Sequence, residues 1–151
     1  MIRLIGILLV FLSLAMATVY AQSPRGVEIV QKANGVYIYS YAETIDPIDP
    51  KKDFQSVRQV TDPEVIARLK RILKDNSAYD PQFKARCLPV WDAGIEFRAE
   101  QESRLYLFSF RCNTIKSVEE NMFKDFTPQR AELYPLLRFE INDRTSLAMP
   151  R

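Results

Sequence analysis

The cysteines and the acids are the side chains in this 151-residue chain whose types and spacing could do chemistry. Cys87 and Cys112 are its two cysteines, with 24 residues between them. Thioredoxin-like redox motifs hold the pair two residues apart, so this spacing points to a structural bond. A disulfide closing such a loop should stabilise the fold by roughly 3 kcal/mol on chain-entropy grounds. Glu43, Glu96, Glu119 and Glu120 are available for paired-carboxylate acid–base work, although nothing in the sequence makes any two of them face each other. Asp46, Asp49 and Asp53 could suggest calcium. A calcium loop needs carboxylates that converge and a glycine for the sharp turn. Here Pro47 and Pro50 stiffen the segment, Lys51 and Lys52 compete for the charge, and a solvated turn is the expectation. No metal and no cofactor is expected.

Other chemistry is excluded outright. The chain has no histidine, which removes Ser-His-Asp and Cys-His nucleophiles and the usual zinc sites. No serine is followed three positions later by lysine. Gly26, Gly35 and Gly94 are too scattered to build a phosphate-binding loop.

The N-terminus reads as an export signal: Arg3 gives a positive start, Leu4 to Ala17 is apolar, and Val19-Tyr20-Ala21 resembles a cleavage site. Residues 1–21 are therefore expected to be removed, leaving one domain over 22–151. The alternative is an uncleaved anchor, since the apolar stretch is nearly long enough to span a bilayer. Loss of Arg3 leaves 20 basic and 19 acidic side chains. A domain so close to neutral has little electrostatic attraction for nucleic acid or, after cleavage, for a membrane surface. In an oxidising compartment a lone cysteine pair is expected to be bonded.

The elements that must position these groups follow from periodicity. Val27 to Val30 reads as a strand joined by an Asn34-Gly35 hairpin turn to Val36–Ala42; a short helix over 27–33 ending at Gly35 is the alternative. Tyr37, Tyr39 and Tyr41 alternate onto one strand face, which is either a binding face for a sugar or peptide or packing beneath a helix. Residues 44–53 form a loop and Ser56 to Val60 a short edge strand. The clearest helix is 62–75. Thr61-Asp62-Pro63-Glu64 starts it, Val65, Ile66, Leu69, Ile72 and Leu73 share its inner face, and its basic residues form the wet side. Ala93 to Ala99 and Leu105 to Phe110 form a hairpin, the second run apolar on both faces. A turn centred on Gln101-Glu102 sets Ile95 opposite Phe108, Phe97 opposite Tyr106 and Trp91 opposite Cys112. Cys87 then lies four residues too far along, about 13 Å in a straight strand, so the chain must bend near Pro89. A last strand falls near Met122–Phe126. A helix opened by Thr127-Pro128 should kink or stop at Pro135, and 141–151 is a loose tail. The sum is an α+β fold: an antiparallel sheet of hairpins packed against one or two helices.

Cys87-Leu88-Pro89, the apolar hairpin, Phe110-Arg111-Cys112-Asn113, the Asp-Pro-Glu helix start and Tyr79 together resemble an uncharacterised group of small secreted bacterial proteins. That resemblance spans roughly residues 60–140. It implies an extracytoplasmic α+β domain and brings no catalytic residues.

The expected function is a non-enzymatic secreted or periplasmic domain, an inhibitor or accessory module that binds or modulates an envelope or extracellular protein or glycan. The alternative is a small carboxylate-dependent hydrolase acting on cell-wall or sugar substrates, which requires a cleft holding two acids of perturbed pKa. A purely structural envelope protein is the third reading. The first prediction concerns address: N-terminal sequencing of exported protein should begin at Gln22, and a membrane-bound product that keeps Met1 would establish the anchor instead.

Overall fold

The computed structural model describes residues 24–74, 79–80 and 87–138. The expected signal and the 141–151 tail lie outside the described residues. Within them the order is α1 (Pro24–Lys32), β1 (Gly35–Ile45), β2 (Phe54–Gln59), α2 (Pro63–Leu73), β3 (Val90–Ala99), β4 (Glu102–Ser109), β5 (Thr114–Ser117), β6 (Met122–Asp125) and α3 (Arg130–Leu137), the last preceded by a 3-10 turn, Thr127–Gln129. The six strands form one antiparallel sheet, β2-β1-β3-β4-β5-β6. The fold is thus α+β but dominated by its sheet, with three α-helices rather than one or two. None of the described helices is long and apolar enough to cross a membrane.

The strand expected at 27–30 is helical. Glu28 lies three residues from Arg25 and four from Lys32, and it pairs with both, at 3.1 and 2.7 Å. Those spacings lie on one face only in a helix. Ile29, Val30 and Ala33 are buried beneath it. Asn34-Gly35 accordingly ends a helix instead of turning a hairpin. The carbonyls left over at that end accept from the Lys70 ammonium of α2, Ala33 at 2.7 Å and Gln31 at 3.1 Å. Helix α2 is as the sequence predicts, with Asp62 as its cap: the carboxylate accepts from the amides of Glu64 and Val65. Helix α3 runs two residues past Pro135. The Pro135 ring lies on the exposed side of the helix, while Leu133 and Leu137 hold the turn against the core.

Strand β4 explains the layering. Tyr106 and Phe108 point into the main core with Val36, Ile38, Ile95, Phe97 and the helices. Leu105 and Leu107 point the other way, into a smaller cluster with Tyr39, Tyr41 and Trp91. Both faces of the sheet therefore need cover. Helices supply one; residues 46–53 supply the other, as a strap.

The β3–β4 register differs from expectation by two residues. Ile95 pairs with Tyr106, Phe97 with Arg104 and Ala99 with Glu102, so the turn is Glu100-Gln101. A shift of two keeps every side chain on its expected face. It also halves the offset of Cys87. The ladder ends at Ala93–Phe108. Beyond it, side chains replace main-chain partners: the Phe110 amide donates to Asp92 at 2.7 Å and the Val90 amide to Ser109 at 3.2 Å. The parted chain lets Cys87 and Cys112 form their disulfide with Cα atoms 5.7 Å apart. Such bonds persist in oxidising, extracytoplasmic surroundings. Joining residues 25 apart should contribute roughly 3–4 kcal/mol. Urea unfolding of the Cys87→Ser/Cys112→Ser double variant should show a loss of that order, and an unchanged midpoint would leave the bond without a stabilising role.

Candidate functional site

The strap is built from the residues that resembled a calcium loop. Asp46 accepts from Trp91 Nε1 at 3.2 Å and pairs with Lys116 at 2.9 Å. Asp49 pairs with Lys52 at 2.8 Å, and Asp53 accepts the Asp49 amide at 2.7 Å. The three carboxylates serve separate partners, and among the described residues no group of three or more such ligands gathers for a metal ion. Ile48 packs on the small aromatic cluster. Pro50 offers its carbonyl to Tyr41 Oη at 2.7 Å. Lys51 reaches over the sheet to Glu96 at 2.8 Å and Ser103 at 3.0 Å.

Glu96 is 1% exposed. Its other oxygen accepts from Tyr39 Oη at 2.7 Å and from Arg98 Nε at 2.8 Å. Arg98 also donates to Tyr39 Oη at 3.0 Å and stacks on the Tyr37 ring, 4.0 Å from its centroid. Burial by itself pushes the Glu96 carboxyl up; the hydrogen bonds from Arg98, Lys51 and Tyr39 outweigh it and hold the group down at about 2. Tyr41 is pushed up, chiefly by burial. Its ring lies over Gly94, where a Cβ would meet Tyr41 Oη at 3.0 Å and Cε2 at 3.1 Å. Glycine at this position is what lets the aromatic layer approach the sheet.

The tyrosine face thus differs from the open platform that would suit binding. The three rings share one face as the alternation predicts, but Tyr39 is 4% and Tyr41 1% exposed, beneath the strap. Tyr37 is half-buried under Arg98.

The cleft lies elsewhere, between α1 and the β3–β4 turn. One cavity of about 270 Å³ is lined by Arg25, Glu28, Lys32, Asn34, Glu100 and Glu102 among others. A second, of about 430 Å³, shares Arg25, Ile29 and Glu102 with it and adds Ser103, Arg104, Glu119 and Glu120. Helix α1 packs across β3 and β4 to form this cleft. Gly26 permits the contact: a Cβ there would stand 3.1 Å from both Arg104 Nε and Glu120 Oε1. Arg104 and Glu120 pair at 2.9 Å with little exposure. Arg25, more than half exposed, reaches from Glu28 to Glu102 and so separates the two basins. The lining holds three bases, Arg25, Lys32 and Arg104, and five acids, Glu28, Glu100, Glu102, Glu119 and Glu120.

Of the sequence candidates, Glu119 and Glu120 are brought together here. Glu96 lies beneath the strap, and the Glu43 side chain is outside the described residues. Glu119 is pushed up, first by desolvation of its carboxyl, against hydrogen bonds that include the Leu105 amide at 3.1 Å. Arg25, Glu28, Lys32, Glu100, Glu102 and Arg104 were not singled out from the sequence. The signal for the first three was present: their spacing is one helix face, hidden by reading 27–30 as a strand.

Comparison with protein-family models, with curated proteins and with solved structures finds no match to the chain.

The Glu96 network makes a definite pH prediction. A carboxyl held at about 2 when folded, against an ordinary 4.5, contributes stability that is complete above pH 4.5 and lost as the pH falls towards 2. For this buried group the contribution is of order 3 kcal/mol. Urea midpoints between pH 7 and pH 2 should show Glu96→Gln destabilised at neutral pH with a flatter acid limb than the wild type. Parallel acid limbs would remove Glu96 from the account.

Proposed function

We propose that this is an extracytoplasmic, non-enzymatic binding domain, and that the cleft between α1 and the β3–β4 turn takes a basic segment of an envelope or extracellular protein. The observation that carries this reading is Arg25. Its guanidinium already occupies the position between the Glu28 and Glu102 carboxylates, held only by exposed ion pairs. Arg25 grips Glu102 with two donors, yet in solvent water and other cations compete for such pairs. An incoming arginine or lysine would replace Arg25 group for group, and the excess of acids around it favours that exchange.

Glu100 supports the same reading. It has φ 54°, the left-handed region, where glycine or asparagine costs less. The other described non-glycine residues with positive φ, Asn113 and Asn121, are the type that tolerates it. A glutamate at the cleft rim is therefore a local cost set against its charge. The disulfide supports the extracytoplasmic part of this reading, as do the signal-like N-terminus and the resemblance to small secreted proteins.

The carboxylate-hydrolase reading draws on one observation, the raised Glu119 within the cleft. It is the weaker of the two, because Glu119 is held by the Leu105 amide and Glu120 by Arg104.

Tetra-arginine peptide titrated calorimetrically into the mature protein at low salt tests the proposal. Binding should weaken about three- to tenfold in Glu102→Gln and in Glu28→Gln, the loss of one charge-assisted contact at an exposed site. It should tighten in Arg25→Ala and fade as salt is added. Equal affinity in wild type and both glutamine variants would overturn it.

A further inference from the structure

Strand β4 outruns its neighbour β5. The β4–β5 ladder runs from Ser109–Thr114 to Tyr106–Ser117, and the chain then turns away at Val118, where the Asn121 amide donates back to the Val118 carbonyl at 3.3 Å. On its other side β4 stays paired with β3 as far as Ala99–Glu102. A short length of β4 edge therefore borders the second basin of the cleft, which Ser103, Arg104, Glu119 and Glu120 help to line.

The hydrogen-bond phase of that edge is fixed from both sides. The Val118 amide donates to the Leu105 carbonyl at 3.0 Å, so Leu105 turns its main-chain groups towards β5. Ser103, two residues away on the same strand, turns the same way. Its partner on β3, Arg98, gives its carbonyl to the Asn34 amide at 2.9 Å on the opposite side, as expected of a pair that exchanges no main-chain bonds. Leu105 is already served: the Glu119 carboxylate accepts its amide at 3.1 Å, in the place of a strand carbonyl. Ser103 comes next along the edge, and among the described residues no strand runs beside it. The β6 edge shows what such a place can hold. There Asp80 alone bridges Phe123, its amide donating to the Phe123 carbonyl at 2.8 Å and its carbonyl accepting from the Phe123 amide at 3.1 Å.

We infer that the basic segment enters the cleft extended, in line with β5, and that one of its residues bridges Ser103 through both main-chain groups. This rests on the basic occupant proposed above and adds its conformation and register. Extended peptides join exposed sheet edges in this way. Side chains alternate across the sheet: Glu102 lies on the helix side, and Ser103 on the strap side, where its hydroxyl accepts from Lys51 at 3.0 Å. In an antiparallel bridge the residue opposite Glu102 follows the one opposite Ser103. Its side chain falls on the helix side beside Glu102, where the Arg25 guanidinium stands. The recognised unit is thus two residues: a small or acidic one that bridges Ser103 near the Lys51 ammonium, then arginine or lysine.

The peptide acetyl-Ala-Ala-Arg-Ala-amide, titrated into the mature protein at low salt and followed by amide shifts and exchange, tests the bridge. The Ser103 amide should shift and exchange more slowly as peptide is added. Methylating the nitrogen of the second alanine removes the donor to the Ser103 carbonyl and should weaken binding about three- to tenfold. Methylating the arginine nitrogen, which points away from β4, should change affinity by less than about twofold. Ser103→Pro removes an amide that the β3 ladder does not use and should weaken binding to the same extent, whereas Ser103→Ala keeps the main chain and should not. Equal binding of all three peptides, with Glu102→Gln still weakening each of them, would mean that the cleft takes the cation without a bridge; that result overturns the inference and leaves the basic occupant standing. Equal binding that is also indifferent to Glu102→Gln overturns both.

Discussion

A central strand that is apolar on both sides constrains everything else in this fold. Leu105 and Leu107 on one face of β4, and Tyr106 and Phe108 on the other, leave no side of the sheet that can face water. The helix side is covered in the ordinary way, by the inner faces of α1, α2 and α3. On the opposite side, among the described residues, cover comes from residues 46–53 with Phe54, Val118 and Phe123 at the margins, too few to bury an apolar layer of their own. The strap is instead held by polar contacts at its ends and middle: Asp46 to Trp91 and Lys116, the Pro50 carbonyl to Tyr41, and Lys51 to Glu96. A buried carboxylate is costly unless it is paired and hydrogen-bonded. Glu96 is tolerated because Lys51, Arg98 and Tyr39 fill its acceptor sites.

Much of the architecture was legible in the sequence because it is periodic. The two-sided apolar run of β4, the inner face of α2 and the alternation of the tyrosines each fall where the pattern places them. Failures came where two periods compete over a short span. Residues 27–33 satisfy a strand and a helix about equally; what decided the matter was the Glu28 pairing at helical spacing and the Lys70 cap from another element, which local sequence does not show. The β3–β4 register slipped by two because Glu100 occupies a left-handed position normally read from glycine or asparagine. Strand β5 was missed because four residues bounded by turns carry little periodicity. The cleft was the least legible part. Its walls are far apart in sequence, and only the docking of α1 on the β3–β4 hairpin brings Glu28 to Glu102.

The same charged residue types have two different fates here, and burial separates them. Beneath the strap the Glu96 carboxylate is buried, although Lys51 and Arg98, which hold it, remain about half exposed. Removing one of its donors leaves that buried carboxylate less well matched. Around the cleft, Arg25, Glu28 and Glu102 make the same kinds of contact in solvent. There water competes for every hydrogen bond, and either partner can leave at little cost. The first arrangement specifies a structure; the second is able to exchange one cation for another. Arg104 and Glu120 stand between these limits, paired with little exposure at the floor of the cleft, where Gly26 brings the helix down on them. In the proposed binding mode that pair keeps α1 seated while Arg25 gives way. The proposed binding role needs this combination of a wall that stays and a side chain that yields, and residues 25 and 26 of one helix would supply the two.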